Sequence, residues 1–270
     1  MKDFHGRVAV ITGAGSGIGR ALAFLLRDEG CDLALVDVNE ARLREVQAEI
    51  GLTRASIHVA DVADRSRMAA LADEVMAAHD RVDILINNAG VTVGADLADH
   101  SLEDFDWIVG INFWGVVHGC KFFLPHLKRS DDAYIVNLSS MFGLIGIPGQ
   151  SSYCATKFAV RGFSEAIAAE LADTHVRVMN VHPGGIRTNI ARDSRVTGGM
   201  AHRHERVVDY FERRGMPPET CAAKIVAAMR KDKSRLLVAP EAYATDVIKR
   251  LFPALPQRWI GRVRKTLLGK

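Results

Sequence analysis

The chain is poor in the features that mark secreted, metal-binding and membrane-spanning proteins. Four cysteines occur in 270 residues: Cys31, Cys120, Cys154 and Cys221. None forms a C-x-x-C pair and none stands near histidines at metal-ligand spacing, so neither a disulfide framework nor a metal site is expected. The thiols read as reduced, in a cytoplasmic protein. No stretch supplies the roughly 18 apolar residues that a spanning helix needs. The start, MKDFHGRVAVITG, runs directly into an apolar strand with no signal-peptide cleavage region. A formal charge of +3 is too small to argue for a nucleic-acid partner. Internal repeats and low-complexity tracts are absent as well.

What is present is an alternating pattern. Short runs rich in Val, Ile and Leu at 7–12, 32–37, 55–60, 82–88, 133–139, 176–181 and 234–239 read as buried strands. Helical periodicity falls between them, at 17–30, 39–51, 64–79, 101–129 and 152–173. Strands that are apolar throughout and alternate with helices predict a single-domain α/β fold. Its doubly wound parallel sheet, of Rossmann type and about seven strands, has helices on both faces. No domain boundary is visible before about residue 240.

Between the first strand and the first helix stands TGAGSGIGR, with Gly13, Gly15, Gly17 and Gly19. Glycines there permit a tight turn and let backbone N–H groups approach a pyrophosphate at a helix N-terminus. Asp37 ends the second strand, 18 residues after Gly19. A carboxylate at that place accepts hydrogen bonds from adenosine ribose hydroxyls and repels a 2′-phosphate, which predicts NAD rather than NADP.

With these residues in view, the chain resembles the short-chain dehydrogenase/reductases. The motifs run in order over about 1–240: TGAGSGIG (12–19), DV (61–62), NNAG (87–90), Asn112, NLSS (137–140), YCATK (153–157) and PGGIRT (183–188). The resemblance implies that Gly13, Ser16, Ile18 and Gly19 form the pyrophosphate turn and that Asp61 and Val62 contact adenine. It implies that Asn88, Ala89 and Gly90 border the cofactor. Pro183, Gly184, Ile186 and Thr188 would form the nicotinamide-side loop, with Ile186 and Thr188 at the carboxamide. The implied catalytic set is Ser140, Tyr153, Lys157 and Asn112, with Asn112 holding a water in a proton relay. Ser140, 13 positions before Tyr153, has the family's usual separation, and Ser139 is one position too far.

Residue chemistry supports that set. Oxidising an alcohol removes a hydride from carbon and a proton from oxygen, and the protein must supply the base. A free phenol, with a pKa near about 10, is protonated at neutral pH. Residues four apart share a helix face, so Lys157 can lie beside Tyr153, favour the phenolate and lower that value. Ser140 would donate to the substrate oxygen. The expected activity is NAD-dependent hydride transfer to or from a secondary alcohol or ketone. A non-catalytic NAD-binding sensor or scaffold is the alternative.

Other segments are less specific. Residues 189–215 are polar, carry adjacent glycines and read as a substrate lid. Met141, Phe142, Leu144 and Ile147, with Val207, Val208, Tyr210 and Phe211 from the lid, suggest an apolar pocket. His202 and His204 read as solvated, and His118, His126 and His182 as packed or hydrogen-bonded. The extension 241–270 turns basic from Lys249 onward, with Arg250, Arg258, Arg262, Arg264, Lys265 and Lys270 and no acid. Trp259, Ile260, Val263, Leu267 and Leu268 are interleaved, as in a basic amphipathic helix. Packing on its own or a neighbouring subunit is the favoured reading, and an anionic membrane surface the alternative. The helices at 101–129 and 152–173 are the expected contacts of a homodimer or homotetramer.

Overall fold

The structure, a computed structural model, describes residues 1–51 and 53–254. Seven parallel strands form the central sheet: β1 (Val8–Thr12), β2 (Asp32–Asp37), β3 (Ala55–Val59), β4 (Ile84–Asn87), β6 (Ala133–Leu138), β7 (Val176–His182) and β9 (Arg235–Leu237). Their order is β3-β2-β1-β4-β6-β7-β9, every pairing parallel. The order reverses between β1 and β4, and the crevice beyond the strands' C-terminal ends at that switch is where α/β folds bind ligands. A two-residue pair, β5 (Val93–Gly94) with β8 (Arg195–Val196), stands apart from the main sheet.

Burial explains the uniform apolarity of the strands. β1 and β6 are buried along their whole length. Ala9, Ile11, Ile84, Ile86, Tyr134 and Val136 face one core, shared with α1 (Gly17–Asp28), α2 (Glu40–Ile50) and α8 (Pro218–Arg230). The alternate residues Val10, Leu85, Ala133 and Ile135 face the other core. That side is covered by α3 (Arg65–His79), α5 (Gly115–Leu127) and α6 (Ser151–Glu170). Each buried Leu, Ile or Phe side chain contributes roughly 1.5–3 kcal/mol, so both faces must be closed. Cys31, Cys120, Cys154 and Cys221 are all free and buried, and burial pushes the thiols of Cys31, Cys120 and Cys221 up to about 12.

The long helix expected at 101–129 is a composite. α4 (Leu102–Val109) passes through a π-helical turn at Gly110–Trp114 into α5. Together they form a continuous 26-residue helix, Leu102–Leu127, long and apolar enough by composition to cross a membrane. Its buried residues Val116, Cys120, Phe123 and Leu127 belong to the sheet's core, so it is a core helix here. The lid region is also more regular than its polarity suggests. β8 pins it to β5, and α7 (His204–Arg214) follows. His204 Nε2 lies 3.1 Å from Ser194 Oγ and 2.8 Å from the Ala191 carbonyl, so it is bonded rather than merely solvated. The extension opens as a helix, α9 (Pro240–Leu251). The basic residues expected from Arg258 to Lys270 lie outside the described residues.

Candidate active site

The glycine turn closes the C-terminal end of β1. Gly13 and Gly17 have positive φ, 66° and 53°, which favours glycine at both places. A Cβ on Gly19 would collide with the Gly13 carbonyl, so close packing of turn on helix requires glycine there too. Ser16 is the N-cap of α1 but makes no side-chain cap bond, and the first turn contains no acid. The first N–H groups of α1 and the Ser16 hydroxyl are thus suited to an anion at the helix N-terminus. This observation fits a dinucleotide pyrophosphate to the cradle that Gly13, Ser16, Ile18 and Gly19 form.

Asp37 braces the same turn. Its Oδ2 accepts from Gly15 N–H at 2.9 Å and its Oδ1 from Asn39 N–H at 3.0 Å. A carboxylate has about four acceptor sites, so capacity remains for ribose hydroxyls. From the other side, the Asn88 side chain donates to the Thr12 carbonyl at 2.9 Å. The backbone N–H groups of Asn88 and Ala89 both donate to Thr12 Oγ1 at 3.0 Å. Asp61 is exposed, its Oδ1 taking the Ala63 N–H, while Val62 is buried against Gly115. Thr188 lies directly over the turn, its methyl 3.0 Å from where a Gly17 Cβ would stand.

The catalytic candidates converge at the ends of β6 and α6. Ser140, just past β6, has its hydroxyl beside the Tyr153 phenol and accepts from Phe142 N–H at 3.1 Å. Ser139 turns the other way, donating to the Lys157 carbonyl at 2.7 Å. Lys157 Nζ stands 5.6 Å from the Tyr153 ring centroid and donates to the Leu138 carbonyl at 2.9 Å. Gly90 faces that ammonium, since a Cβ there would lie 3.4 Å from Nζ. Phe142 packs edge-on to the Tyr153 ring, with centroids 6.2 Å apart.

Two features of these residues go beyond what their spacing shows. First, burial pushes the Tyr153 phenol up to about 12, against the pull of the Ser140 hydroxyl. Burial also draws Lys157 down to about 8. Desolvation therefore dominates both values among the protein's own groups. Second, the Asn112 side chain is committed. Its Oδ1 accepts from Val91 N–H at 2.8 Å, and its Nδ2 donates to the Val91 carbonyl at 2.9 Å and to Thr156 Oγ1 at 3.3 Å. It braces the Gly90–Val91 loop against the π turn.

The apolar lining is only partly as expected. Phe142 borders Tyr153, and Phe211 packs over Gly185, whose Cβ would lie 3.2 Å from the ring. Leu144 is buried in the protein instead, and Tyr210 is exposed. Val208 lines a cavity of about 350 Å³ with Thr188, Asn189, Ala191, Arg187, Arg192 and Glu212, a mostly polar set.

His182, at the end of β7, is both packed and hydrogen-bonded, in line with its expected structural role. It is fully buried, and its Nδ1 lies 3.0 Å from the Ser140 carbonyl. Burial holds it down at about 4, so it is neutral at pH 7 with Nδ1–H donating. Between its ordinary value of 6.5 and about 4, the unfolded chain takes a proton that the folded one refuses. Its contribution is fully present above 6.5 and shrinks as pH falls, by about 1.4 kcal/mol per pH unit from this one group. Urea unfolding from pH 6.5 to 5 should show that slope, flatter in His182→Gln; identical slopes would remove His182 as its source.

Comparison with known proteins agrees with this geometry. The short chain dehydrogenase family profile matches residues 7–197. SadH of Mycobacterium tuberculosis, named as an oxidoreductase, is 43% identical over 267 residues, 96% of each chain. The 3-ketodihydrosphingosine reductase of Bacteroides thetaiotaomicron is 32% identical over 246 residues, 87% of this chain and 88% of that protein. Among solved structures, a short-chain dehydrogenase/reductase from Burkholderia phymatum in complex with NAD superposes with a TM-score of 0.88. It is 30% identical, covering 94% of this chain and 96% of the other. A Rossmann sheet, a glycine cradle at its switch point and a serine, tyrosine and lysine gathered beside it place this chain in the short-chain dehydrogenase/reductase family of oxidoreductases.

Proposed function

We propose that this protein is an NAD-dependent dehydrogenase or reductase that interconverts an apolar secondary alcohol and its ketone. The convergence of Ser140, Tyr153 and Lys157 at the sheet's C-terminal edge, beside the glycine cradle, carries the reading. The nicotinamide, when bound, supplies the acceptor or donor of the hydride. Gly13, Ser16, Ile18 and Gly19 would hold the pyrophosphate, Asp37 the adenosine ribose, and Asp61 and Val62 the adenine. Asn88, Ala89 and Gly90 would border it, and Pro183, Gly184, Ile186 and Thr188 would line the nicotinamide side.

The chain's own groups handle the proton. The Tyr153 phenolate oxygen takes the alcohol proton in oxidation, and the phenol so formed returns it in reduction. Ser140 donates a hydrogen bond to the substrate oxygen and steadies its developing negative charge. Lys157 favours the phenolate and can reach the nicotinamide ribose. A phenol held high by burial is protonated at pH 7, which is the form that ketone reduction starts from. The name of the 3-ketodihydrosphingosine reductase supports the ketone assignment.

A panel of secondary alcohols and ketones, followed at the NADH absorbance, tests the reading. Activity with NAD should exceed that with NADP by about 100-fold in kcat/KM, because the Asp37 carboxylate would face the 2′-phosphate. Asp37→Ala should narrow that ratio by about tenfold. Equal use of both cofactors by the unaltered protein would reject the NAD assignment. Absence of any turnover alongside tight NAD binding would favour a binding protein.

A homodimer or homotetramer is part of the proposal. Trp114 and Phe158, on the helices expected to pair, are 44% and 40% exposed.

A further inference from the structure

The loop that follows β7 is held by a residue outside every motif described above. Glu241 is the second residue of α9, and its Oε1 accepts from Gly185 N–H at 2.7 Å. A Cβ on Gly184 would collide with the same carboxylate, so the acid lies flat on both glycines of PGGIRT. A side chain at position 184 would displace the Glu241 carboxylate.

The chain reaches this arrangement through a strained step. Ala239, immediately before α9, has φ 83° and ψ 146° and is buried. That backbone region is essentially reserved to glycine, and a non-glycine residue persists there only where its surroundings fix it. Pro240 then starts the helix, and an acid in the first turn suits the helix dipole. Two guanidinium bonds from Arg235 on β9 to Asp246, at 3.0 and 2.6 Å, hold α9 against the sheet. The helix is anchored to the sheet on one side and to the loop on the other.

The loop is stitched to the catalytic serine as well. Met141 N–H donates to the Pro183 carbonyl at 2.8 Å, and His182 Nδ1–H donates to the Ser140 carbonyl at 3.0 Å. A shift at Gly185 would pass along this chain to Ser140 and, in the other direction, to Ile186 and Thr188.

We propose that Glu241 is a positioning residue: its carboxylate, bonded to Gly185 N–H, sets the Pro183–Thr188 loop and makes the C-terminal helix part of the cofactor site. The proposal rests on the reading that this loop borders the nicotinamide. Three measurements on the full-length protein test it: NADH binding by fluorescence, hydrogen exchange at the Gly185 amide, and thermal melting. Glu241→Ala should weaken NADH binding by about 5- to 10-fold and speed Gly185 exchange, with melting almost unchanged. Glu241→Gln keeps a carbonyl acceptor and should restore binding to within about twofold of the unaltered protein. Faster exchange with unaltered NADH affinity would overturn the proposal, as would equal losses in the two variants. Failure of the unaltered protein to bind NADH would instead reject the functional reading, while the exchange measurement would still report whether Glu241 holds the loop.

Discussion

Tyr153→Phe should lower turnover by about 10³-fold, the mid-range loss for removing a general acid–base group. That corresponds to about 4 kcal/mol of transition-state stabilisation. NADH affinity should change by less than about threefold. The split follows from what each group touches. The hydroxyl is the one Tyr153 atom the proton transfer uses, whereas the ring, held edge-on by Phe142, stays in place when it is removed. Lys157, bonded to the Leu138 carbonyl, does not depend on the phenol for its position. Steady-state kinetics paired with a binding titration separate the two effects. Retained turnover would reject the acid–base assignment, and a parallel loss of binding would show that the ring alone cannot hold the site's shape.

The same pair shows what a helix spacing can and cannot reveal. The i, i+4 relation of Tyr153 and Lys157 correctly places the ammonium beside the ring, because helix geometry fixes it. It says nothing of how far both groups leave water, and desolvation turns out to dominate both pKa shifts. The strands were legible for a similar reason. A parallel sheet closed on both faces demands unbroken apolar runs, and β1, β4 and β6 have them.

Features that depend on partners distant in sequence were not legible. The π turn at Gly110–Trp114 reads as ordinary helix, since its residues are apolar and helical in period. The role of Asn112 appears only once Val91 is folded against it. Glu241 bonds a backbone N–H 56 residues away, which no local pattern announces. The helix carrying it could have been found, because Pro240 followed by an acid is a start signal. In the sequence it is overshadowed by the basic run further along. The polar composition of 189–215 reads as a substrate lid and does not announce α7, which packs Phe211 over Gly185.

The opposite edge of the sheet gives the largest expected effect on stability. Asp83, fully buried just before β4, accepts from Val8 N–H at 2.9 Å and from Ser130 Oγ at 2.6 Å. Arg81 adds bonds at 2.8 and 2.5 Å, and Arg7 one at 3.2 Å. Burial alone would raise its pKa, but the bonds from Arg81, Ser130 and Val8 win and hold the carboxyl below its ordinary value. Asp83→Ala strands a buried N–H and a buried hydroxyl, and leaves the guanidinium groups of Arg7 and Arg81 with Asp131. Each stranded buried polar group costs about 1–3 kcal/mol, so the two together cost about 2–6 kcal/mol. The melting temperature should fall by roughly 10 °C in a domain of this size. The double variant Arg81→Ala/Asp83→Ala should lose less than the sum of the two single losses, because the shared bond is then counted once. Turnover below the melting temperature should be unchanged, since the network lies at the N-terminal ends of the strands and the catalytic groups at the C-terminal ends. A loss of activity in the folded variant would show that the two edges of the sheet are coupled.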